Sequence, residues 1–336
     1  TGCISLKSIG DMPKLESMGQ KCFVSCTTLE TVGDLSSLKE IPYEAFDGCT
    51  SLVSIGDLNN VESIANEAFS NCSALEHVDK LDKITSIAQN AFKGCTALKS
   101  IGSLHNLETI GQGAFSGCSA LEHVDDLYSL TRLEYDVFSH CVSLISVDCS
   151  DKLTAIGSSA FFGCKALVSI GDLSNVTSIE SSVFRGCIAL KSIGNMPKLE
   201  SIGMQCFMGC TALETVGDLS SLKEIPSETF DGCTSLVSIG DLSNVTIIGS
   251  YGFNQCKKLT SIPNLGSLER VDQFAFSGCE SLALLGNLRK LTSFGNSPFV
   301  NSPFHNCPNL VLEVLPDSAA EQYAKDYNMQ YTYITE

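Results

Sequence analysis

Residues 95–117 read CTALKSIGSLHNLETIGQGAFSG, and units of this kind follow one another along most of the 336-residue chain. Phenylalanine stands three residues before the cysteine of nearly every unit, and leucine stands three residues after it. Self-similarity at a fixed period of about 20–50 residues is typical of a repeat architecture. The cysteines recur at a constant interval of 23 residues, and one more follows after 28: Cys3, Cys26, Cys49, Cys72, Cys95, Cys118, Cys141, Cys164, Cys187, Cys210, Cys233, Cys256, Cys279 and Cys307.

Apolar side chains recur about every third residue between Leu98 and Ile110. This step matches neither the period of roughly 3.6 residues of an α-helix nor the period of roughly 2 of a strand. It suits a chain that turns a corner every few residues and keeps one side towards a central axis. We therefore predict two short strands in this unit, at 98–101 and 107–110, and a helical or 3₁₀ turn at 114–118.

One such coil cannot bury its own apolar face, but coils stacked in register bury a continuous core between them. In-register stacking also pairs each strand with the equivalent strand of the next coil. The sequence therefore predicts an α/β repeat solenoid of about thirteen coils, with parallel strands and short helical or 3₁₀ turns.

The pattern Leu-x-x-Ile…Ile-Gly-x-x-Ala-Phe-x-x-Cys-x-x-Leu resembles the BspA-like leucine-rich repeat family over about residues 1–310. That family comprises bacterial surface proteins and is also found in some parasitic protists. The resemblance implies a right-handed solenoid with parallel strands, exported to the cell surface and linked to adhesion.

Two breaks in the pattern define the predicted organisation, with the repeat array at residues 1–310 and a cap at 311–336. The stretch 296–304, NSPFVNSPF, holds a five-residue insertion with two prolines and predicts a looped-out corner. In the cap, Ser318-Ala-Ala-Glu321 fits a capping box that begins a helix running to about Tyr327. Residues 329–334 alternate in polarity and predict a strand.

The formal net charge of −17 argues against binding to nucleic acid or to anionic lipid, because both need clustered Lys and Arg. No stretch of about 18 apolar residues predicts a membrane span, and no signal peptide or anchor is visible in this segment. The sequence begins in the middle of a repeat, so we expect residue 1 to lie within a longer protein, in which an export signal or anchor could precede it. We expect a monomer whose partner is a protein or a surface macromolecule.

The cysteine ladder is interpreted as a row of buried, reduced thiols that act as small apolar fillers. Disulfides between neighbouring rungs and a metal site at Cys22 and Cys26, or at Cys206 and Cys210, are the alternatives. We expect no metal and no cofactor. Cys149 occupies a position that is Asp in other units, so we expect it to be the most accessible cysteine.

The positions five and seven residues after each cysteine should face outward, on the concave strand side of a leucine-rich repeat. Most units have Ser or Thr and Gly there, but three units differ. The alternative to a binding surface is a solvated face with ordinary drift between copies. The candidate binding residues are those of the three units and the serine between the first two: His77, Asp79, Ser100, His123, Asp125, Ser146 and Asp148.

The position eight residues after the cysteine is aspartate in seven units. We predict that these side chains accept hydrogen bonds from backbone amides at turns, and shared Ca²⁺ binding is the alternative. The seven are Asp11, Asp34, Asp57, Asp126, Asp172, Asp218 and Asp241.

Catalytic motifs are missing from the sequence. It has five histidines but no nucleophile elbow, phosphate loop or His-Glu-x-x-His motif, so we predict that the chain is not an enzyme. The sequence predicts a cell-surface or secreted module that binds a macromolecule through its repeated strand face, in adhesion to a host or matrix. The alternatives are a structural spacer that projects other domains and a glycan- or wall-binding module, and the absence of Trp weakens the latter.

Overall fold

The computed structural model describes residues 2–295 and 302–335. The chain folds as two compact units, unit 1 at Thr1–Asp172 and unit 2 at Leu173–Glu336. Each unit is a stack of 23-residue coils in which short parallel strands form two of the three sides. The parallel-strand solenoid that the sequence predicts is therefore confirmed.

Unit 1 carries fourteen strands, and those of the first side begin five residues after the cysteine. The first side forms the sheets β1-β2-β4-β6-β8 and β10-β12-β14, and the second side forms β3-β5-β7-β9 and the pair β11-β13. In chain order the strands are β1 (Ser8–Ile9), β2 (Thr31–Val32), β3 (Glu40–Ile41), β4 (Ser54–Ile55), β5 (Ser63–Ile64), β6 (His77–Val78), β7 (Ser86–Ile87), β8 (Ser100–Ile101), β9 (Thr109–Ile110), β10 (His123–Leu127), β11 (Arg132–Leu133), β12 (Ser146–Cys149), β13 (Ala155–Ile156) and β14 (Ser169–Ile170).

Unit 2 repeats this arrangement and ends in a different structure. Its first side forms the sheets β16-β18-β20 and β22-β24-β26-β27, and its second side forms the pair β15-β17 and the sheet β19-β21-β23-β25. The elements are β15 (Ser178–Ile179), β16 (Ser192–Ile193), β17 (Ser201–Ile202), β18 (Thr215–Val216), β19 (Glu224–Ile225), β20 (Ser238–Ile239), β21 (Ile247–Ile248), β22 (Ser261–Ile262), β23 (Arg270–Val271), β24 (Leu284–Leu285), β25 (Ser293–Phe294), β26 (Val311–Val314), α1 (Ala319–Asp326) and β27 (Gln330–Tyr333).

The predicted α/β class is correct only in part. The third side of each coil consists of non-helical turns, whereas helical or 3₁₀ turns were predicted. Two residues of each third side have left-handed backbone, as Glu44 (φ 49°) and Gly48 (φ 71°) do. A right-handed helix cannot continue through such residues. The amide of Phe46 instead donates to the carbonyl of Ala68 in the next coil, at 2.8 Å. Among the described residues α1 is the single α-helix.

Phenylalanine rings fill the core as columns. In unit 1 the rings of Phe92 and Phe115 are stacked with centroids 5.3 Å apart, and Phe115 and Phe138 follow at 5.6 Å. In unit 2 the rings of Phe207 and Phe230 stack at 5.3 Å. These side chains are fully buried, so the predicted in-register column is confirmed within each unit.

The cysteine ladder lies beside the phenylalanine column. The thiol of Cys118 donates a hydrogen bond to the carbonyl oxygen of Phe92, 26 residues earlier, at 3.1 Å, and Cys233 makes the same bond to Phe207. All seventeen cysteines are free thiols. The ladder thus joins neighbouring coils through hydrogen bonds and apolar packing. The predicted burial is confirmed from Cys26 to Cys279, whereas Cys3 is exposed and Cys307 is half-buried.

The C-terminal segment has the predicted helix and strand. Ser318 is the N-cap of α1 and accepts a hydrogen bond from the Glu321 amide, while the Glu321 carboxylate accepts one from the Asp317 amide. Strand β27 pairs in parallel with β26. The predicted insertion at 296–304 lies mostly outside the described residues, which resume at Ser302.

Candidate functional site

The first-side strands of unit 1 present their outward side chains on one face, which we call the strand face. Most coils place glycine seven residues after the cysteine, where neighbouring backbones approach closely. A Cβ on Gly33 would lie 2.5 Å from the carboxylate of Asp11, and a Cβ on Gly56 would lie 2.5 Å from the carbonyl carbon of Gly33. Glycine at this position therefore lets consecutive coils meet along a flat surface.

Three coils of unit 1 carry aspartate at this position, and the backbone differs there. The residue after Asp79, Lys80, has φ 58°, and the residue after Asp125, Asp126, has φ 68°. The pairing of β10 with β12 shifts register between Val124 and Leu127. Strands β10 and β12 span five and four residues, whereas the other strands of unit 1 span two. The wider strand surface thus accompanies Asp125 and Asp148, whereas β6 beside Asp79 keeps two residues.

The two predicted histidines each contact the serine of the next coil. His77 Nδ1 lies 2.8 Å from Ser100 Oγ, and His123 Nδ1 lies 2.9 Å from Ser146 Oγ. These side chains face solvent in strands that pair in register. The strand face therefore holds two equivalent His–Ser pairs.

The aspartates of the same coils leave carboxylates free on this face. Asp125 and Asp148 are exposed, and within the described ranges neither carboxylate has a hydrogen-bond or ion-pair partner. Tyr128 is 47% exposed beside them. The nearby charge of Asp126 raises the pKa of the Tyr128 hydroxyl, with smaller contributions from burial, Asp148 and Asp125. The surface around β10 and β12 is therefore strongly acidic.

A neighbouring column, four residues after the cysteine, contributes groups that the sequence analysis did not single out. In the earlier coils its charges are paired, as Lys7 with Glu30 at 3.9 Å and Lys99 with Glu76 at 2.9 Å. Glu122 has no such partner among the residues that the structure describes. The next two side chains of the column, Ile145 and Val168, are 39% and 43% exposed. The sequence could have indicated these residues, because they recur at the same 23-residue spacing.

A second polar cluster lies where the strands of the same face end. Ser103 Oγ donates to Asp126 Oδ2 at 2.7 Å, and His105 Nδ1 lies 3.0 Å from Ser103 Oγ. These residues surround the position where the β10 backbone changes register. They extend the polar surface beyond the residues that the sequence predicts.

The seven predicted site residues all lie on the strand face of unit 1, and we call them together the strand-face patch. The structure joins them as the pairs His77–Ser100 and His123–Ser146. Asp125 and Asp148 lie beside the second pair, and Asp79 lies beside the first.

Four of the seven aspartates eight residues after the cysteine have the predicted turn role, namely Asp34, Asp57, Asp218 and Asp241. Asp11 instead accepts from the Asp34 amide of the next coil, and Asp126 accepts from the Ser103 hydroxyl. Asp57 accepts a hydrogen bond from the Asn59 amide at 2.9 Å, and Asp218 accepts one from the Ser220 amide at 2.8 Å. Lys80 also lies 3.0 Å from Asp57. Burial opposes ionisation of this carboxyl, but the Asn59 amide bond and the Lys80 ion pair together lower its pKa. These oxygens are therefore occupied by donors of the protein itself.

Burial makes the core thiols poor nucleophiles and poor metal ligands. Burial raises the pKa of the Cys95 and Cys149 thiols to about 12, so both remain protonated at neutral pH. The expectation that Cys149 is accessible is wrong: its side chain is 8% exposed because β12 extends to Cys149, which pairs with Leu127. In the described ranges, no group of three or more His, Cys, Asp or Glu side chains could hold a metal ion.

A family model for the BspA type leucine rich repeat region, with six copies, matches residues 1–99, 85–214 and 200–318. The chain belongs to the BspA-type leucine-rich repeat family. Members of this kind are binding or structural repeat proteins, and no feature of the match indicates an enzyme. A search of curated proteins found no match.

The solved structure of another leucine-rich repeat protein shows the same fold. A leucine-rich repeat protein from Bacteroides ovatus is 29% identical, with a TM-score of 0.83 over 99% of this chain and 85% of that one. A leucine rich cell surface protein from Faecalibacterium prausnitzii is 22% identical, with a TM-score of 0.45 over 94% of this chain and 84% of that one. Among the described residues, no helix has the length and apolar character needed to span a membrane.

Proposed function

We propose that this BspA-type chain is a non-enzymatic recognition module at the cell surface, or secreted, that binds a macromolecular partner through the strand-face patch. The observation that carries the proposal is the change of the strand face between the coils. Elsewhere the face is Ser, Thr and Gly, whereas the patch replaces them with two histidines and three aspartates. These side chains pack against no core, so their contribution to folding does not account for them.

The chemistry of the patch favours a protein as the partner. Unpaired carboxylates at Asp125 and Asp148 accept hydrogen bonds and ion pairs, and His123 can donate from the ring nitrogen that does not face serine. At His77 that nitrogen lies 3.9 Å from the Glu76 carboxylate. The exposed Ile145 and Val168 add apolar area next to them. This combination favours a host or matrix protein, or the surface of another cell, as the partner. The adhesion role that the family resemblance implies favours the same partners.

A structural spacer is the second candidate. Its support is the flat Ser, Thr and Gly surface of most other coils, which offers few groups for specific contacts. In that case the chain would project other domains and bind nothing itself. A glycan- or wall-binding role has less support, because the chain has no Trp for stacking on sugar rings.

The test compares binding of the wild-type chain to intact cells and to immobilised matrix proteins with that of the triple variant His77→Ala, His123→Ala, Asp125→Ala. A matched control removes the side-chain hydroxyls at the equivalent outward positions of unit 2, with Ser192→Ala, Thr215→Ala and Ser238→Ala. We expect the patch variant to lose at least about tenfold in affinity, since truncating several central contacts costs more than 1.4 kcal/mol. The control should bind like the wild type.

Two results would favour the spacer. One is equal binding by the wild type, the patch variant and the control. The other is no binding to any surface by a correctly folded wild-type chain. Surface location has its own test, which is labelling of intact source cells with an antibody against the chain.

A further inference from the structure

Strand β27 ends the sheet β22-β24-β26-β27 in unit 2, with one edge paired and one edge open. Its paired edge follows β26 in register over all four residues, from Val311↔Gln330 to Val314↔Tyr333. Among the described residues, no strand pairs with its other edge. An open strand edge presents unpaired N–H and C=O groups that can pair with another chain.

The direction of the open backbone groups follows from one hydrogen bond. The Ile334 amide donates to the Val314 carbonyl at 3.0 Å. In a parallel ladder alternate residues direct both backbone groups to the same neighbour, so Thr332 faces β26. The N–H and C=O groups of Tyr331 and Tyr333 therefore point away from the sheet.

The open edge lacks the features that normally protect such strands. Residues 327–335 read YNMQYTYIT and hold no charged residue and no proline, although the chain as a whole carries −17. Natural edge strands are commonly blocked by lysine, proline or a bulge. Tyr333 is 49% exposed, so this part of the surface is open to a partner.

The strand is held in place before any partner arrives. The Tyr333 hydroxyl donates to the Glu321 carboxylate at 2.7 Å, and Lys325 lies 2.8 Å from the same oxygen. Glu321 itself is 2% exposed and part of the cap of α1. A preformed strand loses little conformational freedom on pairing.

We propose that β27 pairs antiparallel with β27 of a second copy of this chain, about a two-fold axis at Thr332. Tyr331 of one copy then lies opposite Tyr333 of the other, and each such pair exchanges two N–H···O=C bonds. Thr332 forms the non-hydrogen-bonded pair on the axis, as alternation in an antiparallel ladder requires. The outward groups are thus self-complementary without any change of backbone.

A second copy fits this edge better than other occupants do. The two-fold arrangement uses both open edges and closes at a dimer, whereas pairing with β1 of another copy is head-to-tail and leaves an open edge on each copy of a pair. Strand β1 also offers two residues, against four in β27. The dimer departs from the monomer that the sequence predicts, and it is independent of the strand-face patch.

Sedimentation velocity of the 336-residue chain tests the proposal over protein concentrations from about 10 μM to about 1 mM, the range suited to a small interface. We expect reversible exchange between the 35.9 kDa monomer and a species of twice that mass. Tyr331→Pro removes an outward amide without removing a bond to β26, and it should weaken the dimer at least about tenfold. Tyr331→Phe keeps the amide and should dimerise like the wild type.

Cross-linking tests the register. Thr332→Cys places two thiols across the axis, where Cα atoms about 4.5 Å apart lie within disulfide range. We expect oxidation with copper phenanthroline to give a covalent dimer through residue 332, identified by peptide mass spectrometry. Gln330→Cys, two residues away on the same face, should give no such dimer.

Three results would overturn the proposal. The first is a wild type that stays monomeric up to about 1 mM, beyond the weakest range expected for a specific contact. The second is a Tyr331→Pro variant that associates like Tyr331→Phe. The third is growth into species larger than a dimer, which would indicate head-to-tail pairing.

Discussion

A side-chain carbon on Gly56 would lie 2.5 Å from the carbonyl carbon of Gly33 in the preceding coil. Real Cβ atoms do not approach carbonyl carbons this closely, so one of the two backbones would have to move. The same contact joins Gly33 to Gly10, and it is interrupted where Asp79, Asp125 and Asp148 occupy the equivalent position. The close approach of the first coils on this side therefore depends on the absence of a side chain.

Gly56→Ala is expected to destabilise unit 1 by about 1–3 kcal/mol, the usual cost of inserting a methyl group into a close-packed contact. Gly10→Ala is the matched control, because Gly10 holds the equivalent position and nothing lies within 4 Å of its Cβ site. Urea denaturation of both variants provides the measurement. Equal midpoints for the two variants would contradict the role assigned to the glycine contact.

Phe115→Ala is expected to cost about 3–5 kcal/mol, since it leaves a cavity between Phe92 and Phe138 in the middle of the column. The loss combines buried apolar area with two ring contacts. Val168→Ala, at a side chain that is 43% exposed, should change stability by less than about 0.5 kcal/mol. Both values can be read from chemical denaturation, and a small loss for Phe115→Ala would mean that the column repacks.

The column was predictable because a fixed period places the same residue over itself in every coil. The stacking of Phe92 on Phe115 could be predicted from the spacing alone. The two His–Ser pairs follow from the same 23-residue spacing. The turn side was less predictable, because Ala-Phe-x-Gly suits a helical turn as well as the observed turns. The difference depends on left-handed backbone at positions such as Glu44, where the side chain gives no signal.

The acidic end of the strand face shows a second limit of prediction from the sequence. Cys149 replaces an aspartate of other units, and the periodic comparison therefore placed it at the surface. The structure buries it because β12 runs two residues further than strands such as β8 and pairs Cys149 with Leu127. That extension accompanies the aspartates at 125 and 148, and a change in register cannot be read from a periodic pattern alone.

Thiol accessibility provides the third prediction. Three of the seventeen cysteines are exposed or half-buried, namely Cys3, Cys22 and Cys307, and the other fourteen are buried. Native protein should therefore react with about three equivalents of a thiol reagent within minutes, since reaction needs an accessible thiolate. The remaining thiols should react after addition of denaturant. Mass spectrometry of the labelled peptides identifies the sites, and early labelling of Cys149 would contradict its burial.

The cap should be sensitive to acid through Glu321. Hydrogen bonds from Lys325 and from Tyr333 lower the pKa of this carboxyl from 4.5 to about 2. A carboxyl with a lowered pKa stabilises the folded state above its unfolded pKa, and this stabilisation is lost as the pH falls from about 4.5 towards 2. The protection factors of the α1 and β27 amides, which correct for the intrinsic pH dependence of exchange, should therefore fall over that range in the wild type. In Glu321→Gln the two segments should exchange faster already at pH 7 and lose most of the dependence between pH 4.5 and 2, whereas an unchanged dependence would assign the acid transition to other carboxyl groups.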